Sequence, residues 1–212
     1  MPDFQIERNH PPPVVGIDEA GRGPWAGPVV AAAIILDATR MPSILATDLD
    51  DSKRLSRGRR EKLFAELKRL ELEGSAMIRI GQASVAEIDS TNILIATMKA
   101  MERAVEVLPH TPAFAIVDGK QLPPNLPCPG RAYIGGDGLS LSIAAASIIA
   151  KVRRDRIMGG LAANYPGYGW EHNAGYGTAE HKAALDRLGP TPHHRSSFMP
   201  IRKLMEFWRP PL

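Results

Sequence analysis

Two apolar runs near the start of the chain do most to limit its fold. VVGI at 14–17 and VVAAAIIL at 29–36 carry no charge and are rich in β-branched residues, and the stretch between them holds three glycines and two prolines. Such runs read as buried strands, and a connection so short and so full of turn formers brings the second back antiparallel to the first. MIRI at 77–80 and FAIV at 114–117 read as further buried strands, with a weaker one near Tyr133 and Ile134.

Helical signals fill the intervals. Ser56 caps a helix whose Leu63, Phe64, Leu67 and Leu70 share a face before Gly74 ends it. Ser84 and Glu87 have capping-box spacing, and from about Thr91 a longer helix presents Leu94, Met98, Met101 and Val105, stopping before Pro109. A helix over 142–158 is full of Ala and Ser, so it can lie close to its neighbour. The tail adds a helix at 178–188 and another after Pro200 with Ile201, Leu204, Met205 and Trp208 in one stripe. This order predicts an α/β fold, a mixed five-stranded sheet flanked by helices, with a helical C-terminal extension. The expected divisions are a lead-in at 1–13, a main domain at 14–165 and the extension at 166–212.

Composition narrows the class without naming a function. With 44% hydrophobic and 23% charged residues in 212, the chain is long and apolar enough for one globular core. A net charge of +3 is a weak nucleic-acid signal. The single cysteine, Cys128, has no partner for a disulfide, which fits a reducing cytoplasm, and no window reads as a leader or membrane span.

Four acids carry the chemistry. Asp18 and Glu19 follow one apolar strand and Asp118 ends another, with Gly119 beside it; Asp137 sits in GGDG before the small-residue helix. Carboxylates crowded at buried strand ends repel unless a cation compensates them. Oxygen donors without Cys or His at ligand spacing favour Mg²⁺ or Mn²⁺ over zinc, and carboxylates sharing two such ions are the arrangement used for in-line phosphodiester displacement. Taken singly, an Asp-Glu pair is more often solvated decoration and Gly-Asp-Gly an ordinary turn. Asp155 lies among Arg153, Arg154 and Arg156, where a local ion pair explains it. GRGPWA at 21–26 matches the G-x-G-x-x-A dinucleotide fingerprint, but that motif opens a helix, and here prolines and a strand follow. His193 and His194 lack the spaced partners of a zinc site. The basic run Lys53, Arg54, Arg57, Arg59, Arg60 and Lys62 suits phosphates or a solvated helix face equally. Tyr165, Tyr168, Trp170 and Tyr176 offer flat surfaces for a sugar or base, or simply pack together.

Several segments in the same order resemble ribonuclease HII, the type 2 ribonuclease H family: GIDEAGRGPWAGPVVAAAIIL from 16, DSKRLS at 51–56, VDG at 117–119, SIAAASIIAKVRRD at 142–155, GYGTAEH at 175–181 and GPTPHHRSSF at 189–198. The resemblance implies a ribonuclease H-like fold and a monomeric Mg²⁺- or Mn²⁺-dependent endonuclease. Its substrates would be RNA in RNA/DNA hybrids and single ribonucleotides in duplex DNA. It implies cleavage on the 5′ side of the ribonucleotide, leaving 3′-hydroxyl and 5′-phosphate ends, by two-metal-ion hydrolysis. It assigns the metal to Asp18, Glu19, Asp118 and Asp137, the 2′-hydroxyl to Gly21, Arg22 and Gly23, and the next deoxyribose to Tyr176. It further implies Lys53, Ser142, Ser147 and Arg195 as substrate contacts.

Two positions depart from the family pattern: Gly135 stands where a Lys commonly precedes Gly-Asp, and HNAG at 172–175 lacks a basic residue often found before Gly-Tyr. They leave Asp155 as an alternative to Asp137. A resolvase or a type 3 hybrid ribonuclease would share the fold. A non-catalytic binding module is opposed by the acids, which weaken phosphate binding without a metal.

Overall fold

A computed structural model describes residues 1–49, 52 and 54–208. Its strands are β1 (Val14–Ala20), β2 (Val29–Leu36), β3 (Ala76–Ala83), β4 (Phe114–Asp118) and β5 (Gly130–Tyr133). The helices are α1 (Gln5–Arg8), α2 (Ser43–Asp48), α3 (Arg57–Leu72), α4 (Val85–Ser90), α5 (Ile93–Glu106), α6 (Leu141–Asn164), α7 (Trp170–Asn173), α8 (Ala179–Leu188) and α9 (Met199–Phe207). One sheet has the order β3-β2-β1-β4-β5. β2 is antiparallel to β1 and β3, whereas β4 runs parallel to β1 and β5 parallel to β4.

Strand alternation divides the core in two. Ala32 and Ile34 face α3 and α6; Val15, Ile17, Ala31 and Ala33 face α5. Both helices lie close because the strands present little bulk. A Cβ on Gly16 would stand 2.3 Å from the Ser142 backbone, and one on Gly81 would stand 2.1 Å from the Ala100 carbonyl oxygen.

That closeness corrects the expected face of α5. Ala96, Ala100 and Ala104 are buried with Met101 and Val105, while Leu94 is exposed and Met98 half-buried, because only alanine fits between the helix and β3. β5 begins at Gly130, where the missing side chain lets the strand approach Ala115, and Ile134 lies exposed beyond its end. α6 continues past Met158 through Gly159 and Gly160, carried by the burial of Met158 and Ala162 in a third core with Trp170, Ala184, Leu185 and Ile201. Of the C-terminal stripe, Ile201 is buried, Leu204 half-buried and Met205 exposed.

The lead-in is docked. Glu7 Oε1 accepts from Ser140 Oγ at 2.7 Å and from the Ser142 amide at 2.9 Å, adding a distant carboxylate to the N-terminus of α6.

Candidate active site

β1 runs three residues further than expected, so Asp18 and Glu19 lie within the ladder, opposite Ala32 and Ala31 of β2. Alternation then sends them to opposite faces. Asp18 points to the α6 side, where the nearby Ser147 hydroxyl favours its charged form, and Glu19 to the α5 side, where it lines a cleft with Leu94, Met98, Met101 and Asp118. Parallel pairing of Ile17 with Val117 sets Asp18 beside Asp118 at the carboxyl ends of neighbouring strands. Asp137 enters from the turn before α6, buried at 7% exposure, next to Gly136, whose amide donates to Asp118 Oδ1 at 2.7 Å. The cleft has a volume of about 460 Å³.

The electrostatics follow from this crowding. Asp18 is 4% exposed, and burial, then the charges of Glu19 and Asp118, push its carboxyl well above the usual range. The Glu19 amide donates to Asp18 Oδ1 at 2.7 Å, and Arg22 Nη1 stands 3.4 Å from Glu19 Oε1. Asp18, Glu19 and Asp118 are thus each met by a local donor, and among the described residues no three Asp, Glu, His or Cys side chains are gathered into a ready-made cage. An all-oxygen donor set with a buried carboxyl disfavoured as an anion fits a hard divalent cation, which would offset the repulsion that spreads these groups.

The loop between β1 and β2 is built on two buried arginines. Arg195 is 0% exposed and donates from Nε to the Gly27 carbonyl (3.0 Å), from Nη1 to that of Arg22 (3.0 Å), and from Nη2 to those of Gly21 (2.6 Å) and Gly27 (2.8 Å). Arg154 donates to the carbonyls of Ala26, Pro28 and Ala174 at 2.9, 3.0 and 2.9 Å. Burial lowers Arg154 to about 10; burial and the nearby Arg154 charge lower Arg195 to about 9. Both stay cationic at neutral pH. In a trans peptide the N–H opposes the carbonyl, so drawing the Gly21 and Arg22 carbonyls inward turns the Arg22 and Gly23 amides outward. Arg195, expected to touch substrate, is corrected to a clamp behind the loop because its whole fork is buried against main-chain oxygens.

The remaining expected contacts separate by depth. Tyr176 is 45% exposed and stands beside Gly23, while Tyr168 and Trp170 are buried and Tyr165 half-buried with them. Lys151 Nζ lies 6.0 Å from the Tyr176 ring centre, and Arg57, Arg60 and Lys151 line a groove with Tyr176. Ser142 is buried against Gly16 rather than in the groove, and Ser147 is buried between Asp18 and Ser52, whose Oγ accepts from Ser147 Oγ at 2.8 Å. Lys53 lies outside the described residues. Asp155 pairs with Lys151 at 2.7 Å and has Arg60 at 3.9 Å, so its charge is compensated locally.

A family model described as Ribonuclease HII matches residues 15–201. The chain belongs to the ribonuclease HII family. The Ribonuclease HII of Paramagnetospirillum magneticum (strain ATCC 700264 / AMB-1) is 58% identical over 207 residues, covering 98% of this chain and 100% of that protein. The ribonuclease H2 from Pyrococcus horikoshii OT3 is similar at a TM-score of 0.74 and 28% identity, covering 91% of this chain and 97% of that one. Bst-RNase HIII, solved in complex with Mn²⁺, is alike in fold, with a TM-score of 0.71 at 17% identity over 91% of this chain and 69% of its own. As a ribonuclease HII, this chain is an endonuclease that hydrolyses RNA phosphodiester bonds. No helix among the described residues is long and apolar enough to cross a membrane.

Sequence reasoning about this ribonuclease HII missed Arg154, Trp25 and His181. Trp25 fills the space above Gly177, where a Cβ would stand 2.1 Å from its ring. In the sequence Arg154 stands out only as a neighbour of Asp155. The available signal was the glycine loop itself, whose carbonyls must find donors somewhere in the chain.

Proposed function

We propose that this ribonuclease HII cleaves RNA in RNA/DNA hybrids and single ribonucleotides in duplex DNA, on the 5′ side of the ribonucleotide, giving 3′-hydroxyl and 5′-phosphate ends. The carrying observation is the register that sets Asp18 beside Asp118, with Glu19 and Asp137 reaching the same end of the sheet. In this reading the four carboxylates hold Mg²⁺ or Mn²⁺, and the Mn²⁺ complex of Bst-RNase HIII supports that choice. A pair of bound divalent cations supplies the charge that makes water nucleophilic near neutral pH and offsets charge on the leaving oxygen.

The protein's own part is to choose and hold the strand. The outward amides of Arg22 and Gly23 are available to a 2′-hydroxyl, with no side chain at Gly21 or Gly23 to block the sugar. The exposed Tyr176 ring, beside Gly23, takes the following deoxyribose, and Arg57 and Lys151 take its phosphates. The extension at 166–212 forms the second wall of this groove, and a monomer in the cytoplasm suffices.

The test is incision of a DNA duplex carrying one ribonucleotide, with Mg²⁺, Mn²⁺ or chelator, followed by mapping of the ends. Metal-dependent cutting 5′ to the ribonucleotide with a 3′-hydroxyl is expected. Cutting in chelator, or on the 3′ side, overturns the reading.

A further inference from the structure

Behind Tyr176 lies a buried pair of histidines whose hydrogen bonds can be assigned in only one direction. The Thr191 amide and hydroxyl lie 2.9 and 3.0 Å from His194 Nδ1, the amide able only to donate, and Trp170 Nε1 lies 3.1 Å from His181 Nε2. Both N–H donors are fixed, so those two ring nitrogens must be acceptors. His194 Nε2 and His181 Nε2 face each other at 3.0 Å, and the single proton between them therefore belongs to His194. His181 is left with its proton on Nδ1, 2.9 Å from the Tyr176 carbonyl oxygen, to which it donates.

With both rings neutral every ring nitrogen has a partner, the one lone pair of His181 Nε2 being shared between the Trp170 and His194 N–H groups. An added proton would meet the Thr191 amide at one ring, or the Trp170 and His194 N–H groups at the other. Burial lowers both rings, His194 to about 3. The charged and titratable neighbours are Glu180, which favours a charged His181, and His193, which disfavours a charged His194. Tyr168 and Trp25 cover the pair with their rings.

The chain also joins two parts of the candidate recognition surface. The His193 carbonyl accepts from the Gly27 amide at 2.9 Å, and Arg195 clamps Gly21 and Arg22, so the segment carrying His194 grips the glycine loop. At its other end His181 holds the carbonyl of the residue whose ring stands beside Gly23. We infer that His194 and His181 are positioning residues, a one-way hydrogen-bond chain that fixes Tyr176 relative to the Gly21–Gly23 loop. The inference rests on the reading of Tyr176 as the group that packs on the sugar after the ribonucleotide.

Two measurements on the full chain test it. With ¹⁵N-labelled histidine, followed between about pH 8 and pH 5, His194 should carry its proton on Nε2 and His181 on Nδ1, with neither ring gaining a second proton. A His181 proton on Nε2, or titration of either ring in that range, overturns the chain. In the second, kcat/KM is measured on a duplex with one ribonucleotide and on a long hybrid. His181→Phe removes the donor to Tyr176 and should lower the first roughly tenfold more than the second, a loss on the scale of one hydrogen bond. His181→Asn can keep a donor near Nδ1 and should recover most of that difference. Parallel losses on both substrates, or no recovery with Asn, overturn the positioning role. Tyr176→Ala, run alongside, separates the failures. If it discriminates between substrates and His181→Phe does not, the chain fails and the reading of Tyr176 stands. If Tyr176→Ala does not discriminate, that reading fails and the positioning role falls with it, whatever the proton positions.

Discussion

Arg195 donates to the Gly21 carbonyl at 2.6 Å from 174 residues further along the chain, and so sets which way the β1–β2 loop faces. A lysine there keeps the charge but has one nitrogen in place of a fork that reaches several carbonyls. Arg195→Lys is expected to lose about 2–4 kcal/mol of stability, as removal of buried charged-group hydrogen bonds does. Incision at a single ribonucleotide should fall further than any loss of folded protein explains. Denaturant melts and kcat/KM at matched folded fraction check both.

Gly21 and Gly23 should respond differently to the same change. Gly21 has φ +101° and a Cβ there would stand 2.0 Å from Arg154 Nε, whereas the nearest atom to a Cβ on Gly23 is Tyr176 Cε1 at 3.5 Å. Gly21→Ala is expected to destabilise by about 1–3 kcal/mol. Gly23→Ala should leave stability within about 0.5 kcal/mol while lowering activity at a ribonucleotide, because its Cβ intrudes on the sugar rather than the protein. Melting curves and incision rates, read together, distinguish the two.

Asp18→Asn replaces a buried carboxyl whose anionic form is opposed by burial and by Glu19 and Asp118, while keeping the shape. In chelator the variant is expected to be at least as stable as the parent, yet to lose cleavage by about a thousandfold or more, the scale seen when a group central to transition-state charge is removed. Turnover near the parental rate would show that this carboxylate holds no metal needed for the reaction.

The sheet was legible because its strands are apolar runs bounded by turn residues, and the acids stood out as charges at the ends of those runs. What escaped were relations between distant segments. Nothing local to Arg195 says that its partners are carbonyls beginning at Gly21, and nothing in the ILIATMKA stretch of α5 says that alanine rather than leucine will face the sheet. Those outcomes depend on how near two elements come, which Gly16 and Gly81 allow from elsewhere in the chain. The resemblance alone set Tyr176 apart from Tyr168 and Trp170; the physical reason, that the other two rings close over His181 and His194 while Tyr176 stays exposed, depends on how α7 and α8 pack.

His194 gives an expected pH dependence. Its folded value is about 3 against 6.5 unperturbed, so the unfolded chain binds the proton first. Stability from this group is therefore full above about pH 6.5 and is lost as pH falls toward 3. Denaturant melts between about pH 7 and pH 4 should show a slope that flattens in His194→Gln, whose side chain does not titrate. An unchanged slope would mean that other groups dominate acid unfolding.

The helix α6 follows β1 closely: Ser142 abuts Gly16, Ser147 meets Asp18, and Arg154 lies against Gly21. Twelve residues of helix advance about 18 Å and five of strand about 17 Å, so the two keep step over this distance. They work as a matched pair of rulers, with the proposed metal-binding carboxylates read off at one mark and the loop proposed to meet the ribose at the next. An extra residue in α6 between Ser147 and Arg154 would swing the guanidinium about 100° around the axis while leaving the Asp18 end in register. The spacing between chemistry and selection is thus a length fixed by helix geometry, and a one-residue insertion should yield a nuclease that still cuts but has lost its place on the strand.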